Sequence, residues 1–322
     1  MYISVAIASY NGGRFIEKQL DSILKQTRPV DEVIICDDGS TDNTVEICRN
    51  FIEKNSLTNW EISVNPKNVG YCFNFYGAIA KTKGDIIFLA DQDDEWYPDK
   101  VEKMLACMEK HKDITVLASR YDVIDENSDI IENSGVTYLG ERFDGSVDFL
   151  TADSFIGCSY IRGFSTCFRK SIKEYLKPLD LKSLLSHDWY ICMLGTVKGK
   201  TAVLNSLLGG YRFHHDNVSL SDMDRKKLIG NRKKRVDGLR ESIAAHKYIA
   251  ELTNDAVLKE KIVKFAAFET KRLRFLEKKN PFLWLALALD MGSYARYYKG
   301  GGLRVWLGDF AYAYNINMNF RV

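Results

Sequence analysis

Gly84-Asp85-Ile86-Ile87-Phe88-Leu89-Ala90-Asp91-Gln92-Asp93-Asp94-Glu95-Trp96-Tyr97-Pro98-Asp99-Lys100 is the stretch on which the reading of this chain turns. Ile86 to Ala90 is an uncharged, mostly β-favouring run with the length of a buried strand. It delivers Asp91, Asp93 and Asp94 together at its end. Three carboxylates this close repel one another, which is tolerable in water or around a cation. Oxygen-rich clusters suit magnesium or manganese, which bind through one or two carboxylates plus a substrate's phosphates. The competing reading is an acidic turn feeding a helix opened by Pro98, since Asp is common at helix caps.

Upstream, strand and helix patterns alternate. Strands are expected at Ile3–Ala8, Glu32–Cys36 and Glu61–Val64, and helices at Arg14–Gln26, Thr44–Lys54 and Tyr71–Thr82. The strand Ile86–Ala90 and a helix over Pro98–Lys110 complete four strand-helix units, the signature of an α/β fold with a mostly parallel sheet. Ligands of such sheets bind beyond the carboxyl ends of the strands. Ser9-Tyr10-Asn11, Asp37-Asp38-Gly39-Ser40 and Asp91–Asp94 each follow a strand, so all three are placed on one edge. Downstream the expected elements are a strand at Thr115–Tyr121, hairpin-like sequence to about residue 145, a strand at Ser159–Arg169, a helix at His187–Val197 and a strand at Leu207–Phe213. After residue 220 the pattern turns helical and basic. The expected division is residues 1–220 as one domain and 221–322 as a mainly helical C-terminal region.

Three further motifs carry candidate chemistry. In Asp37–Asp42, Gly39 permits a tight turn and Thr41 or Asp42 can cap the next helix. One carboxylate suffices for a cap, so the doubled aspartate leaves one to accept from a nucleobase or ribose. Asp188, in Ser186-His187-Asp188-Trp189-Tyr190, stands at a helix start. It either answers the helix dipole or serves as a general base for an acceptor hydroxyl, beside aromatics that can stack on a sugar. Arg212 and His214 project to one face if their strand continues, a cation for phosphate and an imidazole for a metal.

Composition sets the outer bounds. A chain of 322 residues with 46% hydrophobic and 27% charged residues folds as one large domain plus an appendage, or as two domains. A net charge of +2 gives no global field for nucleic acid. Seven scattered cysteines without Cys-x-x-Cys spacing fit a reducing compartment. The N-terminus has neither the basic flank nor the long apolar region of a signal peptide. The longest apolar candidate, Pro281–Leu289, is about half the ~18 residues of a transmembrane helix. The expectation is a cytoplasmic protein, soluble or peripheral. Residues 225–240 crowd Lys and Arg against a single Asp, as in a basic amphipathic helix on an anionic membrane, with a solvated face or a homodimer contact as the plainer alternative.

Together the segments resemble the family-2 inverting glycosyltransferases of the GT-A fold. The matching text is Ala8-Ser9-Tyr10-Asn11-Gly12, Asp37–Asp42, Asn68-Val69-Gly70, Gly84-Asp85, Asp91–Asp94 with Trp96, Pro98 and Lys100, His187-Asp188-Trp189, and Tyr211-Arg212-x-His214. These blocks run in the family's order over roughly residues 1–220. Asp-Gln-Asp-Asp with His-Asp-Trp is most similar to the rhamnosyltransferase-like branch that builds bacterial surface polysaccharides. The resemblance implies a nucleotide-sugar donor, first of all dTDP-rhamnose, and a lipid-linked or polysaccharide acceptor at the inner face of the membrane. It implies that Tyr10 and Asp38 hold the nucleoside, with Ser9, Asn68 and Gln92 in the donor site, and that Asp91 approaches the ribose. Asp93 binds a divalent cation (Mn or Mg), His214 adds a ligand, Arg212 aids the leaving group, and Asp188 is the base. The family often has Thr or Pro where this chain has Ala8. The tail 221–322 lies outside the pattern.

Two other function classes use related parts. A non-catalytic sugar-nucleotide-binding or scaffold subunit needs no base, and measurable transfer excludes it. A sugar nucleotidyltransferase also uses an acidic metal site, but this chain has no Gly-rich, Arg- or Lys-bearing triphosphate loop after its first strand.

Overall fold

Every residue of the first strand, β1 (Ile3–Ser9), is buried, as expected of a strand covered on both faces. The computed structural model describes residues 1–132, 142–157, 161–179, 181, 185–214, 232–297 and 301–316. In it β1 pairs in parallel with β2 (Glu32–Asp37) on one side and β4 (Ile86–Asp91) on the other, and β3 (Trp60–Val64) extends the sheet beyond β2. The connecting helices are α1 (Ile16–Leu24), α2 (Thr44–Lys54) and α3 (Tyr71–Lys81). Ile16, Leu20 and Ile23 of α1 join Ile3, Val5 and Ile7 of β1 in one apolar core with Ile86 and Phe88. Burying each such side chain is worth roughly 1.5–3 kcal/mol, so the i, i+4, i+7 spacing in α1 fixes the face it lays on the sheet.

The four expected strand-helix units are present, with ends displaced by one or two residues. The fourth helix, α4 (Lys100–Lys110), starts after Pro98 rather than at it, because Lys100 N–H closes a turn onto the Tyr97 carbonyl.

The second half departs further. The nine-stranded sheet runs β3-β2-β1-β4-β8-β6-β9-β5, with β7 also on β9. Here β5 is Glu95–Trp96, β6 Ile114–Ile124, β7 Val147–Leu150, β8 Thr166–Arg169 and β9 Lys200–Arg212. The strand expected over 159–169 is only β8, antiparallel to both β4 and β6. Gly163–Ser165 instead forms a 3-10 turn. The Arg162 carbonyl accepts the Ser165 amide and the Ser165 and Thr166 hydroxyls, which folds the chain back. β9 begins seven residues before the expected 207. Asn205 and Ser206 interrupt its apolar pattern, but Asn205 is buried and bonded to Arg120, Ser146 and Asp148. Gly209 admits β5, since a Cβ there would lie 2.9 Å from the Glu95 carbonyl. Short α5 (Lys170–Lys173) and α6 (His187–Lys198) complete this region.

The chain divides into two compact units. Met1–Thr151, Tyr160–Pro178 and Ile191–His214 form the first, which holds the whole sheet. Ala152–Ser159, Leu179–Tyr190 and His215–Val322 form the second. The expected boundary at 220 lies outside the described residues, as do His215, Cys158, residues 225–231 of the basic segment, and 133–141 of the expected hairpin. The described part of the second unit is helical: α7 (Arg232–Leu252) packs along α8 (Ala256–Lys278), followed by α9 (Pro281–Ala286), α10 (Met291–Tyr294) and α11 (Gly302–Tyr314). Among the described residues no helix is long and apolar enough to cross a membrane.

Candidate active site

β1 continues the sheet to β2 on one side and to β4 on the other, so the strand order reverses at β1, and it is beyond the carboxyl ends at such a point that α/β sheets bind ligands. The register sets Ser9 opposite Asp37, and Ala8 opposite Asp91. Asp37 accepts from the Ser9 hydroxyl at 2.9 Å, the Ser40 amide at 2.8 Å and the Ser40 hydroxyl at 2.6 Å. It therefore organises the turn that Gly39 makes at φ +77°. Asp42, two residues before α2, accepts the Thr44 amide at 3.0 Å and the Gly13 N–H at 3.0 Å. Burial pushes the Asp42 carboxyl up, but the bonds from Thr44 and Gly13 outweigh it and hold the group below the usual range.

Asp38, expected beside a nucleobase, is buried and grips the next loop. Its oxygens accept from Val69 N–H and Gly70 N–H at 2.8 Å each and from the Asn65 amide at 3.0 Å. Exposed Asn68 accepts from the same Gly70 N–H at 3.1 Å. Gln92 brackets Tyr10 from β4, receiving its N–H at 2.7 Å and donating to its carbonyl at 3.0 Å. Tyr10 itself is 44% exposed. Gly12 makes the bracket possible: a Cβ there would fall 2.2 Å from Gln92 Oε1.

At the acidic end of β4 the structure brings Asp93 and His214 together, Nε2 to Oδ2 at 2.9 Å, with the Phe15 ring against the imidazole. Asp91 is partly exposed beside them. Asp94 is fully buried, and its Oδ1 accepts Arg212 N–H at 2.8 Å. Burial first, then the charges of Asp93 and Asp91, push its carboxyl well above the ordinary range.

Arg212, expected to meet phosphate oxygens, is instead wholly buried. It donates to the Asp93 carbonyl at 2.8 Å, the Asp125 carbonyl at 2.6 Å, the Glu95 carboxylate and the Ser128 hydroxyl. Its guanidinium is committed to the loop that carries Asp93, so in this geometry it positions that residue. Behind the loop, the buried Lys100 amine sits 3.5 Å from Ser119 Oγ and 5.2 Å from the Trp96 ring centre. Burial lowers its pKa to about 7, against the opposing pull of Cys167 and Asp94.

Asp93 and His214 offer one oxygen and one nitrogen side by side. Among the described residues no three-donor cluster of His, Cys, Asp and Glu occurs. A two-donor set fits a magnesium or manganese ion that takes its remaining ligands from substrate phosphates and water. Asp188 belongs to the second unit. At the first turn of α6 its Oδ1 accepts Trp189 N–H at 2.6 Å and the Ser186 hydroxyl. Burial pushes neighbouring His187 down against the pull of Asp188.

Sequence reasoning missed the supports. Asn74 is buried in α3 and donates to the carbonyls of Cys36 at 2.7 Å and Ser9 at 3.3 Å while accepting from Asn65. The signal was an amide between Phe73 and Phe75 in an otherwise apolar helix. Glu95, Asp125 and Ser128, which hold Arg212, carry no comparable local signal.

Known proteins are similar to this chain in sequence and in fold. The family profile described as Glycosyl transferase family 2 matches residues 4–176. An uncharacterized glycosyltransferase of Nostoc sp. is 26% identical over 69% of this chain and 67% of its own. The dTDP-rhamnosyl transferase RfbG of Shigella flexneri is 42% identical over 32% of this chain and 36% of its own. These alignments span only part of each relative. Among solved structures, S. aureus TarS 1-349 in complex with UDP-GlcNAc superimposes with a TM-score of 0.58 at 18% identity, over 100% of this chain and 93% of that one. At that identity the likeness speaks to the fold, which is GT-A.

Proposed function

The chain belongs to glycosyl transferase family 2 and is a glycosyltransferase, and on that premise we propose that it moves a sugar with inversion from a nucleoside diphosphate to a hydroxyl of a growing surface polysaccharide. The observation that carries the reading is the convergence of the Tyr10, Asp38 and Asp91–Asp93 loops at the ends of β1, β2 and β4, with His214 brought onto Asp93. The first donor is dTDP-rhamnose, supported by the Asp-Gln-Asp-Asp motif and the likeness to the S. flexneri rhamnosyl transferase. The acceptor is lipid-linked, and the protein works at the inner face of the membrane with the region 221–322 as its peripheral contact.

The division of labour follows from the residues. Tyr10, held by Gln92, presents its ring to the nucleoside. Asp38 acts through the Asn65–Gly70 loop, whose amides it gathers. Ser9 buttresses Asp37, and Asp91 faces the ribose. Asp93 and His214 are the residues that would hold a divalent cation, which when bound neutralises charge on the departing diphosphate. Arg212 keeps Asp93 in place. In the transfer, the acceptor oxygen bonds to the anomeric carbon as the bond from that carbon to the diphosphate oxygen breaks on the opposite face. Asp188 takes the hydroxyl proton. Its assignment rests on the motif His187-Asp188-Trp189 and on its place at a helix start.

Calorimetric titration of dTDP-rhamnose and the common UDP-sugars, with and without manganese, tests the proposal. Metal-dependent binding of dTDP-rhamnose is expected. Metal-dependent binding of a UDP-sugar alone replaces the donor assignment, and no binding by a folded protein overturns the function.

A further inference from the structure

Pro281 to Leu289 contains no charged or polar residue, yet most of this segment faces solvent. Phe282 is 77% exposed, Leu285 55% and Leu289 91%. Asn280 caps α9 and Pro281 opens it, and the backbone stays right-handed through the following 3-10 turn, Leu287–Asp290. Positions 282, 285 and 289 therefore share one side of a continuous helical stretch. The other side is anchored. Trp284 stacks on Trp306 of α11, ring centres 3.9 Å apart and 9° from parallel. Each indole donates to the other residue's carbonyl at 3.0 Å. Leu303, one turn before Trp306, is also exposed.

Lys278 and Lys279 are exposed just before α9, and Arg304 beside Leu303. Asp290 pairs with Lys271 at 2.9 Å and Glu277 with Arg240 at 2.7 Å. A rigid apolar face of this kind is uncommon on a surface that stays in water.

We propose that the face formed by Phe282, Leu285 and Leu289 inserts into the headgroup layer of an anionic bilayer. This rests on the membrane contact in the proposed function and assigns that contact to a surface and a lipid class. The apolar side chains enter the acyl boundary while Lys278 and Lys279 meet anionic headgroups. A second copy is the less fitting occupant, because a two-fold contact on this face sets its cationic flanks against each other. Lipid headgroups turn the same charges into attraction.

The test is co-sedimentation of the full chain with phosphatidylcholine vesicles, with and without phosphatidylglycerol, in the absence of donor. Binding to the anionic vesicles is expected, weakening as salt rises. The variant Phe282→Ser/Leu285→Ser/Leu289→Ser changes only exposed positions. It should keep the wild-type circular dichroism and melting temperature while its partition falls at least ~100-fold. If the wild type binds no vesicle, the membrane contact fails and this proposal with it. If wild type and variant bind equally, the membrane contact stands and this face is overturned. A wild-type dimer in sedimentation velocity that the variant abolishes, with vesicle binding unchanged, assigns the face to a second copy and overturns the proposal as well.

Discussion

Asp93 and Asp188 are the same side chain in two settings, and their substitutions should fail differently. Asp93 contacts an imidazole at the end of the parallel strands, whereas Asp188, in the first turn of α6, accepts from the Trp189 N–H and the Ser186 hydroxyl. Asp188→Asn keeps the shape and an oxygen for these bonds. It should retain donor affinity while the transfer rate falls by ~10²–10⁴, the usual worth of a general base. Full turnover by a variant that melts like the wild type removes Asp188 from the mechanism. Asp93→Ala should instead lose the manganese-dependent part of donor affinity by at least about tenfold, read by calorimetry with and without the metal. Equal affinities would take Asp93 out of the metal site. Arg212 shows why residue type is a poor guide to partner. An arginine near an acidic cluster suggested phosphate, but burial has closed its guanidinium over carbonyls of its own unit.

At the scale of elements, α4 carries a buried amine behind the site loop. Lys100 in the folded chain gives up its proton near pH 7, against 10.5 for an ordinary lysine. Between those values the unfolded chain binds the proton that the folded chain lacks, so stability rises with pH, by at most ~1.4 kcal/mol per unit. Burial raises the Cys167 thiol above its ordinary 9.0, which opposes this trend from about pH 9. Chemical unfolding at pH 7, 8 and 9 should show the rise in the wild type and lose it in Lys100→Met. Met also fits between Trp96 and Phe164, so the variant should be at least as stable at pH 7. Identical pH slopes would show that the amine stays charged. The strand-helix units of the first half were legible because each is a local pattern. The short extent of β8 and the start of β9 were not, because the Arg162 carbonyl turns the chain before β8 and Asn205 satisfies its polarity through Arg120 on β6 and Asp148 on β7.

At the scale of the whole molecule, each unit has its own centre. The first is organised by the apolar sheet core. The second holds a fully buried ion pair, in which Arg272 donates to Asp309 at 2.7 and 2.8 Å and the Tyr294 hydroxyl adds a bond at 2.8 Å. Burial pushes the Asp309 carboxyl up, but Arg272, with help from Arg235, holds it below 3.8. Its stabilisation is thus fully present above the ordinary carboxylate value and is lost as pH falls through the lowered one. Asp309→Asn removes the carboxylate that takes both bonds from buried Arg272 and should cost about 3–5 kcal/mol, measured by urea unfolding at neutral pH. A loss under about 1 kcal/mol would show that water reaches Arg272.

The order of elements over the first hundred or so residues, their parallel strands and the three motif loops on one edge were determined by the sequence alone. Hydrophobic period and turn residues act over a few positions, and a strand's end is wherever its apolar run stops. The partner of each charged side chain was decided only by the tertiary structure. Asp38 meets amides 31 and 32 residues away, and Arg212 meets Asp93 across 119. Electrostatic and hydrogen-bond energies depend on distances of a few ångströms and on burial, and chain separation constrains neither.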